Sequence, residues 1–340
     1  MTRRSNILLT GCLAFLALGL LLFDMSERRP HKEYYRHNGH IFGTTYTIQY
    51  QATTDLEDTI LARLRQVDST LSMFNPQSAI SRFNRGENIP VTSMLDTVLR
   101  CAQSVSERSE GAFDVTIAPL VNYWGFGTQT DTLPTRDMAV VDSILQFVNY
   151  QMLDIHEGHL YRFDPRVEID LSAIAKGYAC DEAAAVLRDA GCEHYLVDIG
   201  GEVVAHGLNR WGNPWSVGIV RPIDDELGLI NELQDTLHTT DICMATSGNY
   251  RRFYYESGLK RSHTIDPRTG QPVQHSLLSA TVVAGSCMEA DALATACMVL
   301  GEQQAVEFIE QQGAQCYLIV STEEGTDIIT SPSWHLTQNK

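Results

Sequence analysis

The sequence predicts an α+β protein, a single large mixed domain behind an N-terminal apolar segment. Three observations carry that expectation. Stretches with helical period and stretches with strand period are interleaved without a regular βαβ alternation. Hydrophobic residues make up 44% of the 340 positions, enough for a substantial core. No internal repeat or long low-complexity stretch interrupts the folded part.

Residues 1–6, MTRRSN, are a short n-region expected on the cytoplasmic side of the membrane. Ile7 to Phe23, ILLTGCLAFLALGLLLF, is apolar apart from Thr10 and carries no charge. As a helix of roughly 17 residues it spans about 26 Å, close to the minimum for a bilayer, so it reads as a transmembrane anchor or an export signal. LTGC at Leu9 to Cys12 has the look of a lipoprotein cleavage box, but only Ile7, Leu8 and Leu9 precede it as an apolar core. An uncleaved anchor is the better reading. Arg3 and Arg4 precede the segment while Arg28, Arg29 and Lys32 follow it, so a bare positive-inside count would put the large domain inside, although Asp24 and Glu27 offset part of that charge and sidedness from the residues alone is near even. Residues 24–38 are polar and charged and read as a juxtamembrane linker, which leaves residues 39–337 as the folded domain.

The domain opens with GTTYTIQYQA, alternating as a strand does, and continues into a helix with Leu56, Ile60, Leu64, Val67 and Leu71 on one face. Further helices are expected at SMLDTVLRCAQSVSERS, AIAKGYACDEAAAVLRDAG, EADALATACMVLG and EQQAVEFIEQQG, the last two closed by Gly301 and Gly313. Strands are expected at VEIDLS, HYLVDIGGEVVAHG, PWSVGIVRP, LLSATVVAG and QCYLIVST.

Charge and cysteine usage exclude several functions. A formal net charge of −17, without clustered Lys and Arg, argues against a nucleic-acid surface. An anionic ligand in so acidic a chain calls for a metal to help hold it. Eight cysteines show neither CxxC nor Cys/His zinc spacing, which argues against a metal-thiolate centre.

Five constellations can carry chemistry. RSHTIDPRTGQP, Arg261 to Pro272, is a tight turn at Pro267 and Gly270 that displays His263, Asp266 and Arg268 together. It is either an Asp-capped turn or a general base with a carboxylate partner. EIDLSAIAKGYACDEAA puts Lys176 near the start of a helix among small residues, where a ligand phosphate can approach backbone groups. VDIGGEVVAHG places Gly200 and Gly201 at a strand end, permitting a turn or a close backbone approach, without the GxGxxG spacing of a dinucleotide fold. EGAFDVTIAPLVNYWGFG is dense in aromatics that fill a core by default and can stack on a flat ring system. Finally, EADALATACM carries Asp291 and Thr295 one helical turn apart on an otherwise apolar stretch. A carboxylate and a hydroxyl on one face offer two hard oxygen ligands suited to Mg²⁺, or else a dipole-favoured Asp and a Thr bonded back to a carbonyl.

In order along the chain, GTTYTI, SAISRFN, GAFDVTIAPLVNYWGFG, DLSAIAKGYACD, VDIGGEVVAHG, WSVGI, ATSGNYRRF, HTIDPRTG and EADALATA closely resemble the ApbE-like family of FAD:protein FMN transferases, from about Phe42 to Gly301. The resemblance implies a single α+β domain that binds FAD with Mg²⁺, cleaves its pyrophosphate, and transfers FMN to a Thr or Ser hydroxyl of a partner protein as a phosphoester, releasing AMP. It implies Asp291, Thr295 and the backbone carbonyl of Ala173 as Mg²⁺ ligands, and His263 with Asp266 as the group that takes the acceptor proton. It implies Lys176 near the phosphates, with Asn84, Asp114, Thr116, Gly200 and Gly201 around the FAD. Family members act in the bacterial envelope, so the expected location is the inner membrane with the catalytic domain facing the periplasm. The expected acceptors are flavoprotein subunits of membrane redox complexes of the Rnf or Nqr type. LLSAT at residues 277–281 lacks the leading Asp-Gly of a family acceptor motif, so modification in trans is expected. Two alternatives share the site: a Mg²⁺-dependent FAD pyrophosphatase, in which water is the nucleophile, and a flavin-binding envelope protein without catalysis.

Overall fold

The chain's computed structural model describes residues 32–128, 136–224, 232–250, 253–256 and 258–335. The apolar segment read as an anchor lies outside the described residues, and among the described residues no helix is long and apolar enough to cross a membrane.

The frame is one eight-stranded antiparallel sheet whose spatial order follows the chain order. Its strands are β1 (Glu33–Ile41), β2 (Thr44–Ala52), β3 (Tyr195–Ile199), β4 (Glu202–His206), β5 (Asp241–Gly248), β6 (Leu277–Val283), β7 (Gln315–Thr322) and β8 (Gly325–Thr330). Everything else is inserted between neighbouring strands. Between β2 and β3 come α1 (Glu57–Leu71), α2 (Ala79–Asn84), α3 (Ser93–Arg108), α4 (Ala118–Tyr123), α5 (Met138–Leu145) and α6 (Ala175–Asp189). A hairpin, Trp215–Val220 with Leu233–Thr239, is inserted between β4 and β5, and α7 (Cys287–Gln311) between β6 and β7.

Strand alternation sorts the sheet's side chains into two layers. Val197, Ile199, Val204, Ala245, Ala280, Val282 and Leu318 face the helices in the main core, while Leu196, Val203, Ala205, Met244, Tyr317 and Ile319 face the inserted hairpin with Trp215 and Val217. Helix α7 packs on β5 and β6 and against α6. Its Gly301, at φ 77°, breaks it at the position where the sequence closes one helix and opens the next. Ser286 caps its start by accepting the Glu289 N–H.

Two expectations need correction. Residues 33–38, read as linker, belong to β1, which pairs with β2 along its whole length. Its half-exposed, charged alternation is what an edge strand tolerates, and that polarity is why it resembled a linker. VEIDLS is not a strand either. Val167, Ile169 and Leu171 are fully buried in strict two-residue alternation, yet only Glu168 bridges to a neighbour, Ile117. The other backbone donors are taken elsewhere: the Ile169 N–H by the Asn84 carboxamide and the Asp170 N–H by the Val115 carbonyl.

Candidate functional site

The insertions converge on a cavity of about 360 Å³. One end is built from core elements. Helix α6 starts just after the turn that contains Ala173, and α7 crosses it closely. The crossing depends on Gly177, where a Cβ would lie 2.8 Å from the Asp291 Cβ and closer still to the Cys287 carbonyl oxygen. Because Gly177 permits contact, its N–H donates to Asp291 Oδ2 at 3.0 Å. That N–H is one of the orphan donors of a helix start, so the carboxylate of one helix caps the other. Further capping comes from Asp181 on α6, which accepts the Cys287 and Met288 N–H groups at the start of α7.

Asp291 is 2% exposed. Its other oxygen lies 3.7 Å from the Lys176 amine, which itself donates to Glu202 Oε1 at 2.6 Å. Burial alone would lower the Lys176 pKa, but the carboxylates of Asp291 and Glu202 outweigh it and hold the amine protonated above its ordinary range. Burial raises Glu202, and the Asp291 charge adds to the shift while Lys176 opposes it. Thr295, one turn beyond Asp291, shares a hydrogen bond of 3.2 Å with the Ser247 hydroxyl. Asp291, Thr295 and Ala173 all line the cavity. A carboxylate, a hydroxyl and a backbone carbonyl are hard oxygen donors, the set a small divalent cation takes.

The Gly200–Gly201 turn closes the same end. Both residues have positive φ, 72° and 104°, the two-residue hairpin geometry that glycine adopts without strain. The Gly201 N–H is fixed by Asp198 Oδ1 at 3.0 Å, and burial raises the pKa of that carboxyl. A Cβ on Gly200 would lie 2.9 Å from Thr44 Cγ2, so the turn also sits tightly on β2.

The other end is looser. His263 lines the cavity, with its ring edge-on to Phe126 at 6.3 Å. The turn after it is anchored by the Trp124 indole, which donates to the Gly270 carbonyl at 2.7 Å, and by burial of Leu120, Trp124, Phe126, Val141 and Ile265 in a separate apolar cluster. The aromatic-rich segment thus fills a core and also lends Phe126 to the cavity wall. Phe74, 54% exposed, stands at the rim.

Of the residues singled out in the sequence, His263, Asp114, Lys176, Gly200, Gly201, Ala173, Asp291 and Thr295 come together around the cavity. Asp266, Asn84 and Thr116 do not line it. Asp266 Oδ1 accepts the Arg268 N–H and Nε–H, and Oδ2 accepts from the same guanidinium at 3.0 Å, so its carboxylate is committed to the turn. Asn84 acts behind the wall, pairing both ways with the Ile169 backbone at 2.8 and 2.9 Å, which holds the segment leading to Ala173. Thr116 is buried and donates both its N–H and its hydroxyl to Asp114 Oδ1, while Asp114 Oδ2 accepts the Tyr150 N–H at 2.8 Å. Burial nevertheless raises the Asp114 pKa. Sequence reasoning passed over Glu202, Ser247 and Phe74. Glu202 carried a signal, since it is a charged residue at an inward position of an apolar strand.

Comparison with known proteins identifies the family and the fold. The sequence profile of the ApbE family matches residues 42–318. The chain is 35% identical over 329 residues to the FAD:protein FMN transferase of Vibrio cholerae, covering 94% of this chain and 96% of that protein. It is 33% identical over 290 residues to that of Escherichia coli K12, covering 83% and 81%. Among solved structures, the flavin transferase ApbE from Vibrio cholerae superposes with a TM-score of 0.78 at 35% identity, covering 89% of this chain and 98% of that one. The apo form of the Pseudomonas stutzeri flavinyl transferase ApbE gives 0.79 at 30% identity, covering 88% and 95%.

Proposed function

The chain belongs to the ApbE family, and from that premise we propose that it transfers FMN from FAD to a Thr or Ser hydroxyl of an acceptor flavoprotein, with Mg²⁺ bound at Asp291, Thr295 and the Ala173 carbonyl. That it is a flavin-transferring enzyme follows from relatives named for that activity along nearly its whole length. The observation that carries the finer reading is the convergence of His263, Lys176, Asp291 and Thr295 on one cavity from well-separated positions in the sequence.

The reaction breaks the phosphoanhydride bond to AMP and makes a phosphoester bond between the acceptor oxygen and the FMN phosphorus. His263 takes the hydroxyl proton as the bond forms. Lys176, held cationic by its two carboxylates, stabilises charge on the phosphate oxygens without itself titrating. The two-glycine turn, without side chains, lets the ligand approach the backbone closely, and Phe126 and Phe74 offer flat surfaces for its rings. A cation held by Asp291, Thr295 and the Ala173 carbonyl would supply Lewis-acid stabilisation of negative charge on the phosphates.

The acceptors this reading favours are flavoprotein subunits of membrane redox complexes of the Rnf or Nqr type. The enzyme would reach them from the outer face of the bacterial inner membrane, tethered by residues 7–23. To test it, full-length protein in detergent is incubated with FAD, Mg²⁺ and a purified acceptor subunit while acceptor mass and AMP are followed. An acceptor heavier by one FMN, with stoichiometric AMP, is the expected result. FMN and AMP free in solution without a mass shift, tried across several acceptors, would mean that water is the nucleophile, and FAD recovered intact would reduce the protein to a flavin binder.

A further inference from the structure

The buried carboxylate beside Lys176 on the sheet side has no direct part in the proposed chemistry. Glu202 is 2% exposed, at the first position of β4. Oε1 accepts from Lys176 at 2.6 Å, whereas Oε2 is buried with no hydrogen-bond partner among the described residues. The carboxylate is fixed on both sides. Its backbone follows the Gly200–Gly201 turn and pairs with Ile199, and the absence of a Cβ on Gly200 leaves Oε2 its space, since that atom would lie 3.3 Å away.

Lys176 therefore has two anionic neighbours at unequal distances, 2.6 Å to Glu202 and 3.7 Å to Asp291. The first is a charge-assisted hydrogen bond and the second is too long to be one. Asp291 Oδ2 is already committed to the Gly177 N–H, so Oδ1 is the oxygen left for a cation, and it is the one that Lys176 approaches. An ammonium on a flexible four-carbon stem, 3.7 Å from such an oxygen, would close the gap if nothing restrained it.

We infer that Glu202 is a positioning residue: it draws the Lys176 amine away from Asp291 and so keeps Oδ1 available to the divalent cation. This rests on the cation reading of the proposed function and adds to it the internal competitor and the group that restrains it. Lys176 then serves two ends. It stays in the cavity as a fixed positive charge for phosphate, yet it does not neutralise the carboxylate on which the cation depends. The Glu202 charge lies in the sheet and the Asp291 charge on a helix, so neither can move to follow the amine.

The test measures Mn²⁺ binding to the full-length protein by electron paramagnetic resonance, without flavin, so that the readout is independent of turnover. Glu202→Ala removes the restraint, and Mn²⁺ affinity is expected to fall about tenfold, the effect of one ion pair of about 1.4 kcal/mol. Glu202→Gln removes the charge but keeps an oxygen that accepts from Lys176, and affinity should fall by less than about threefold. Adding Lys176→Met to Glu202→Ala should restore binding to within about threefold of wild type. Lys176→Met alone, which leaves Glu202 in place, should bind Mn²⁺ at least as tightly as wild type, and it carries the test should Glu202→Ala fold poorly. Equal losses in the Gln and Ala variants would show that charge alone matters and would overturn the inference. A double variant no better than Glu202→Ala, or weaker binding by Lys176→Met, would overturn it as well. Mn²⁺ binding that is absent in wild type, or unaffected by Asp291→Asn, would instead sink the cation reading and take the inference with it.

Discussion

The two ends of the cavity are built by different means. At the Asp291 end, polar groups are buried and satisfy one another across elements far apart in the chain: Gly177 with Asp291, Lys176 with Glu202, Asp181 with Cys287 and Met288. At the His263 end, the carboxylates of Asp266 and Asp114 bond mainly to near neighbours, Arg268 and Thr116, and the wall is held by aromatic packing on Trp124 and Phe126 with the Trp124–Gly270 hydrogen bond. For the proposed function, a cation and a pyrophosphate would need donors fixed to about half an ångström, which helices and strands of the core can supply. An acceptor protein must enter and leave, and a turn resting on its own apolar cluster allows that without disturbing the fixed end.

If that contrast is correct, the fixed end should fail by geometry. Gly177→Ala is expected to have the largest effect on stability, because the added methyl overlaps backbone of α7 as well as the Asp291 side chain. It should cost about 3 kcal/mol of stability, at the upper end of overpacking, and lower FMN transfer about a hundredfold by displacing Asp291. Thermal denaturation and acceptor labelling measure the two losses. A variant of unchanged stability would mean that the helices are free to part and that this end is not rigid. Asp291→Asn keeps an oxygen for the Gly177 N–H and removes only the charge. Transfer should drop about a thousandfold, the several kcal/mol attributed to a catalytic cation, with the melting temperature nearly unchanged. If stability fell as far as activity did, Asp291 would be a structural cap in the main.

The same contrast decides what could be read from the sequence. Contacts within two to four residues are visible as spacing, so the Asp-Pro turn, the Asp291–Thr295 face and the two-glycine turn were all legible as local chemistry. Asp266 shows the limit of such reading: proximity to His263 along the chain suggested a partnership, but Arg268 is closer and takes both oxygens. Long-range pairings left no spacing to read. Nothing near Lys176 announces Glu202, which arrives from a strand 26 residues later, and nothing near Gly177 announces Asp291, 114 residues on. The order of the sheet was equally hidden, since strands adjacent in space are separated by insertions as long as residues 53–194. VEIDLS failed for a related reason. Alternating burial is necessary for a half-buried strand but does not supply a ladder partner, and here the Asn84 carboxamide took the place of one.

The open end should fail by chemistry instead. His263→Gln removes the proton acceptor and leaves the aromatic cluster beneath the turn intact. FMN transfer should fall about a hundredfold or more, within the range for losing a general base, while FAD affinity, followed by flavin fluorescence, changes little. A matching loss of FAD affinity would show His263 to be a binding residue, and the division of labour between the two ends would blur.

Asp114 gives the smallest effect and the sharpest test, because it lies on the open side yet is buried like the groups of the fixed one. Three donors converge on it, the Thr116 N–H and hydroxyl and the Tyr150 N–H, and burial still raises its pKa above 3.8. Linkage sets the sign. Above pH 3.8 the unfolded chain gives up this proton while the folded chain retains it, so the group's contribution is greatest below that pH. It declines as pH rises through the folded value. Asp114→Asn cannot titrate and turns an acceptor into a donor toward one side, costing about 1–3 kcal/mol through a lost buried acceptor. The gap in melting temperature between wild type and variant should therefore be widest in acid and narrow as pH increases. A gap that widened with pH would mean that the ionised carboxylate is the stabilising form and that the three hydrogen bonds outweigh burial.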